Sequence, residues 1–186
     1  MQSRAQTVVY TIGHGRRSVD QLISLLEPYS VRRLFETRRM PRSATNPQFN
    51  SDSLTAALAA RGIAYEHLAA RGGFRKPRAD SPDTGCRNKS FQGYADYMST
   101  EDFQRGIGWL IEAAAKEPVA IMCAETVPWR CHRWLVADAL VARQVSVVHI
   151  IDHRHADRHD LRDWARLEGN QLTYPAKATA EGRGSH

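Results

Sequence analysis

The chain has 186 residues, 42% of them apolar and 25% charged, the composition of one globular domain with its own core. A formal charge of +6, with arginine far ahead of lysine, favours a polyanionic partner, because the guanidinium fork pairs bidentately with phosphate or a base edge. No apolar run reaches the roughly 18 residues of a membrane span, and the first residues lack signal-peptide form. Three cysteines without a secretion signal argue against a disulfide framework, so a cytoplasmic protein with reduced thiols is expected.

The pattern alternates strand and helix. "TVVYTIGH" (7–14) reads as a buried strand, and "SVDQLISLLEPY" (18–29) as a helix capped by Ser18. "VRRLFETRR" (31–39) is a second strand, and "MPRSATNPQFN" (40–50), with two prolines, is a loop. "SDSLTAALAARG" (51–62) is a helix capped by Ser51 or Ser53 and closed by Gly62, after which "IAYEHLAA" (63–70) resumes an extended pattern. Residues 72–92 form a long irregular segment holding Arg75, Lys76, Arg78, Arg87 and Lys89. "YADYMST" and "EDFQRGIGWLIEAAAKE" (101–117) make a helix pair with Thr100 as a cap. "PVAIMCA" (118–124) is a buried strand, and "PWRCHRWLVADALVARQ" (128–144) is a helix with proline in its first turn. "SVVHIID" ends the strand series. "HRHADRHDLRDWARLEG" reads as a polar, partly helical appendage, and the residues from about Ala176 as a loose tail, leaving a single domain over 1–175 and a flexible tail over 176–186.

Strands joined by helices of this length imply right-handed crossovers, hence an α/β fold: a mainly parallel sheet with helices on both faces. In such sheets ligands gather at the carboxyl ends of the strands. That rule brings "GHG", "ETRR", "ARGG" and "CAET" to one rim.

"YTIGHG", "ETRRMPRS" with "NPQFN", "SFQGYADYM" and above all "VAIMCAETVPWRCHR" with "VVHI" behind it resemble the domain of unknown function DUF488 family, from about Tyr10 to Tyr174. The resemblance implies a small α/β protein and no particular chemistry. The chain departs from the family's pattern at Gly15, where serine is usual, and at Glu36-Thr37-Arg38, where Asp-Val-Arg is usual.

Several chemistries fit the rim. Glu36 and Glu125 each follow a buried strand, and together they could act as general base or cation stabiliser, with His14 as auxiliary donor and Arg38 holding a carboxylate ionised. With no G-x-G-x-x-G and no phosphate-binding G-x-x-x-x-G-K, N-glycosidic cleavage fits this inventory, and a DNA glycosylase-like hydrolase removing a modified base is the leading expectation. Arg39, Arg42, Arg71, Arg75, Lys76, Arg78, Arg87, Lys89 and Arg133 would then grip phosphates, while Phe49 and Trp129 would wedge into or stack on bases. A paired-charge network at the sheet edge is the plainer alternative for the carboxylates.

A thiol-dependent sulfur-transfer or redox enzyme is the rival. It would use Cys131 or Cys123: the position of Cys131 in a first helical turn beside Arg130, His132 and Arg133 could lower a thiol pKa, while Cys123, at the end of a buried strand, otherwise fits as packing. A non-catalytic nucleic-acid-binding module is the third reading. No metal is expected: Cys123 and Cys131 are eight apart, and the His155/His159 pair lies in a run of mixed charge. No cofactor is expected either, and the oligomeric state stays open.

Overall fold

The computed structural model describes residues 6–68, 73, 75–169 and 171–176. Five parallel strands lie in the order β3 (Ala64–His67), β2 (Arg33–Glu36), β4 (Val119–Cys123), β1 (Val8–Gly13) and β5 (Ser146–Ile150). A sixth, β6 (Ala156–Arg158), runs antiparallel along the β5 edge. The α/β expectation therefore holds, with a mainly parallel sheet between two helical layers.

Those layers follow from the alternation of side chains along each strand. Ile12, Leu34, Ala120, Met122 and Ile150 face α1 (Val19–Leu26) and α2 (Ser51–Ala59). Val9, Phe35, Val119, Ile121 and Val147 face α3 (Lys89–Met98), α4 (Glu101–Ala114) and α5 (Arg133–Val141). Helix starts are set chemically. Ser18 and Gln21 form a reciprocal capping box at α1, and the Thr100 hydroxyl accepts the Phe103 N–H at α4. Beyond α2, Gly62 takes φ +70°, a left-handed conformation that ends the helix.

Three expectations change. Asn50, rather than Ser51 or Ser53, precedes α2, without a side-chain cap bond. The segment Pro128–Arg130 is a separate 3-10 turn, so α5 begins only at Arg133. The appendage expected to be partly helical instead forms β6 and a hairpin of β7 (Arg166–Glu168) and β8 (Gln171–Thr173) that turns at Gly169 with φ +60°. Short alternating segments with a glycine between them suit a hairpin better than a helix. Among the described residues no helix is long and apolar enough to cross a membrane. The tail expected over 176–186 lies almost wholly outside the described residues.

One feature of this topology creates the site. Neighbouring strands β1 and β4 send their following helices to opposite faces, α1 to one side and α5 to the other. A crevice opens at such a reversal, outside the strands' carboxyl ends. The loops after Gly13 and Cys123 line it.

Candidate active site

A cleft of about 500 Å³ occupies this crevice, with Cys123, Cys131 and His132 in its wall and Arg39, Arg42 and Arg130 around it. Two close approaches bring the walls together. A Cβ on Gly13 would lie 1.9 Å from the Glu125 carbonyl oxygen, and one on Gly73 would lie 2.3 Å from His132 Nδ1, so both positions admit only glycine without rearrangement.

At the base of the cleft two free cysteines meet, Cys123 Sγ and Cys131 Sγ being 2.8 Å apart and both side chains buried. Cys131 lies one residue before His132, the N-cap of α5, rather than in the helix, and its sulfur takes the Arg133 backbone N–H at 3.5 Å. Arg133 itself is fully buried. Its Nε donates to Cys123 Sγ at 3.0 Å, Nη1 to Thr11 Oγ1 at 3.3 Å, and Nη2 to the carbonyls of Glu125 and Thr126.

The neighbouring imidazole is held in a defined tautomer. The Thr37 hydroxyl donates to the Met122 carbonyl at 3.0 Å, so it accepts from His132 Nε2 at 3.1 Å. Nε2 therefore carries a proton, and Nδ1 faces Cys131 Sγ, 3.5 Å away, where it can receive the thiol proton. Orienter, base and nucleophile stand in series. Burial pushes the Cys131 thiol up, but the hydrogen bonds of Cys123 and His132 and the charges of His132 and Arg133 outweigh it and hold it well below the ordinary thiol range. Burial and the hydrogen bond to Cys131 push Cys123 well above that range. The two sulfurs thus share their protons unequally, with the thiolate favoured on Cys131. The third cysteine, Cys86, is raised to about 11 by burial and by Asp83, and lies outside this cluster.

Behind Arg133 runs a buried polar chain. Thr11 Oγ1 accepts from Arg133 and also meets His149 Nδ1 at 2.7 Å; His149 Nε2 meets His159 Nδ1 at 2.9 Å, and His159 Nε2 meets Asp138 Oδ1 at 2.8 Å. The Tyr174 hydroxyl closes the chain on Asp138 Oδ2 at 2.8 Å. Burial, then His159 and Arg133, lower His149 to about 3.

Residues 18–140 match the domain of unknown function DUF488, about two thirds of the chain. The chain belongs to the DUF488 family. No curated protein and no solved structure matches it. The match takes in Thr37, Cys123, Cys131, His132, Arg133 and Asp138, while His149, His159 and Tyr174 lie beyond it and close the relay from the chain's own C-terminal part.

The DUF488 site differs from the carboxylate pocket expected from the sequence. Glu36 is fully buried at the end of β2; Arg38 grips both its oxygens, one at 2.8 Å, and the Tyr65 hydroxyl donates to Oε2 at 2.8 Å. Arg38 also donates to the Phe49 carbonyl at 2.5 Å. This is the paired network, not a free acid–base group, and Glu36 is not part of the cleft wall. Glu125 does line the cleft, but it is exposed and its carboxylate has no partner among the described residues. His14 reaches the cleft too: Nδ1 donates to the Gly15 carbonyl at 2.9 Å, the ring stacks on Phe49 at 4.3 Å, and buried Nε2 has no partner. Burial lowers its pKa, so Nε2 is an acceptor rather than a proton donor.

The expected phosphate grips scatter. Arg39 and Arg42 are exposed at the cleft. Arg75 lies over the Tyr97 ring at 3.4 Å, Arg78 pairs with Asp80 at 3.1 Å, and Lys89 donates to Gln92 at 3.1 Å. Lys76 is exposed, and Arg71 lies outside the described residues. Phe49 is core and cannot serve as a wedge, while Arg133 is buried beneath the thiols and cannot reach a phosphate. Trp129 is 53% exposed, so it does not fill the core. His159, expected in a solvated appendage, is a buried link of the relay; His155 pairs with Asp152 on the surface. Thr37, His149 and Asp138 were missed, because their roles depend on strand neighbours that only the register reveals.

Proposed function

We propose that this protein is a thiol–disulfide oxidoreductase with Cys131 as nucleophile and Cys123 as resolving thiol. The observation that carries the reading is the 2.8 Å contact between a thiol held well below its usual pKa and one held above it, at the base of an open cleft. The Cys131 thiolate attacks one sulfur of a substrate disulfide, forming a mixed disulfide and expelling the other half as a thiolate. Cys123 then loses its proton to that thiolate and attacks Cys131 Sγ, releasing the second half as a thiolate. The substrate disulfide ends as one thiol and one thiolate and the protein as a Cys123–Cys131 disulfide, which two equivalents of a small-molecule thiol reduce to the dithiol, themselves leaving as a disulfide.

The adjacent thiol also decides against stored sulfur. A persulfide on Cys131 would sit against Cys123 and be discharged as fast as it formed. The glycosylase reading loses its central support with Glu36, whose carboxylate is occupied by Arg38 and Tyr65.

The test uses hydroxyethyl disulfide and mass spectrometry. In the parent protein an intramolecular Cys123–Cys131 bond is expected, Cys123→Ser should trap the mixed disulfide on Cys131, and Cys131→Ser should show neither. Cys86, buried and protonated, serves as an internal control. Failure of the Cys123→Ser protein to trap an adduct on Cys131 would overturn the proposal.

A further inference from the structure

A second, larger cavity of about 930 Å³ adjoins the thiol cleft, and the two share Phe91, Glu125 and Arg130. Its lining is not that of a thiol site. Trp129, on the 3-10 turn between the two cysteines, leaves 53% of its surface exposed, and Trp164 lies in the same wall. Arg87 and Arg130 are exposed and carry no ion-pair partner among the described residues, and Arg162 lines the same cavity with its guanidinium 5.4 Å from the Trp164 ring centre. The Glu125 carboxylate, unpartnered, faces both cavities' space from the shared wall.

These groups match three chemical parts of one ligand. A planar base stacks on an indole, because every base offers a π-face. Phosphate oxygens pair with guanidinium forks, and those of Arg87 and Arg130 hold no carboxylate among the described residues, whereas Arg162 already pairs with Asp138 at 3.9 Å. A ribose diol donates to a carboxylate, the role an acidic side chain plays beside many nucleotides. A volume of this size lies within the range of small-molecule sites. The net charge of +6 adds a field of the right sign.

We infer that this cavity is a nucleotide site, taking a free nucleotide with its base on Trp129, its ribose on Glu125 and its phosphates on Arg87 and Arg130. The site opens onto the thiol cleft through the shared wall, so a nucleotide held there places whatever it carries beside Cys131. The inference does not rest on the redox reading, because binding needs no thiol.

Adenosine diphosphate is the probe, titrated by calorimetry and tryptophan fluorescence into the Cys131→Ser protein, which removes any thiol chemistry. Saturable binding with quenching is expected. Trp129→Ala should abolish most of the quench and weaken binding by about five- to 150-fold, the range that base stacking on an aromatic side chain supplies. Arg87→Ala with Arg130→Ala should weaken it further and flatten its salt dependence. Inorganic phosphate should compete without quenching. Absence of binding at millimolar concentration, or equal binding by the Trp129→Ala protein, overturns the assignment. Binding of a short single-stranded oligonucleotide without binding of the mononucleotide also overturns it, and would make the groove a nucleic-acid surface instead. A positive titration with no disulfide exchange at Cys131 would leave the nucleotide site standing and remove the redox function.

Discussion

Arg133 is the residue whose replacement tests the most links at once. It is the fully buried cation of the site, and it satisfies four acceptors: the Cys123 sulfur, the Thr11 hydroxyl, and the carbonyls of Glu125 and Thr126. Arg133→Met keeps much of the side-chain volume but removes the charge, leaving the two thiols without the guanidinium that donates to Cys123 and favours the Cys131 thiolate. Breaking a buried charge network in this way costs about 3–5 kcal/mol. At roughly 2–4 °C per kcal/mol for a chain of this size, the melting temperature should fall by roughly 6–20 °C. Cys131 should respond as well. The cation favours its thiolate, so iodoacetamide alkylation, which follows thiolate, should need a higher pH to reach its plateau. Arg133→Lys retains the charge on a point donor without the fork. It should keep more of the low-pH reactivity than Arg133→Met while still losing stability, and it covers the case in which the methionine variant does not fold. Urea denaturation and alkylation rates across pH, read at Cys131 by mass spectrometry, supply both numbers. A folded Arg133→Met protein that alkylates Cys131 with the parent's pH midpoint would refute the electrostatic account of the thiolate.

Three further outcomes follow from named contacts. Gly73→Ala drives a methyl group into the His132 ring, which rotates away from Thr37 and Cys131; the melting temperature should change little, while alkylation of Cys131 shifts to higher pH. Glu36→Gln should destabilise by about 3–5 kcal/mol, since Arg38 and Tyr65 lose their shared carboxylate, yet leave Cys131 alkylation unchanged; loss of thiol reactivity in a stable Glu36→Gln protein would restore the carboxylate to the chemistry. His149 is neutral in the folded state with its pKa lowered from 6.5 to about 3, so the unfolded chain binds the extra proton between those values. Its share of the stability is complete above pH 6.5 and lost progressively as pH falls toward 3. Near pH 5 the loss is about 2 kcal/mol, to be read from urea midpoints and compared with His149→Gln, in which that part of the slope should vanish.

The elements were legible because each carries its own periodicity: the buried run 119–123, the capped helix after Ser18 and the helix after Thr100 stand where their patterns put them. The rim was legible too, since strand ends and glycine-bearing loops converge there. What failed was the choice of residue on the rim, and the failure has a geometric cause. Glu36 pairs with Met122 across the β2–β4 ladder, so it shares a face with Leu34 and Met122 and points toward the α1–α2 layer. Cys123 is one residue farther along β4, and one residue reverses the side. Two side chains that both end strands on the same edge therefore stand in different layers, one sealed against Tyr65 and the other facing α5.

The same parity assembles the relay. Thr11 pairs with His149 in the β1–β5 ladder and with Ile121 in the β1–β4 ladder, which sets its hydroxyl on the α5 side with Cys123 two residues beyond Ile121. A threonine in a buried strand and a histidine in another look like ordinary sheet residues until the register aligns them. Once aligned, they give Arg133 an acceptor it cannot find in water, and that acceptor is itself fixed by His149, His159 and Asp138. The cation beneath the thiols is thereby balanced by the cysteine pair it contacts rather than by the nearby Glu36 or Glu125. Glu125 consequently keeps its carboxylate free at the mouth of both cavities, available to a ligand, and the residue that first suggested acid–base catalysis is better placed to recognise than to react.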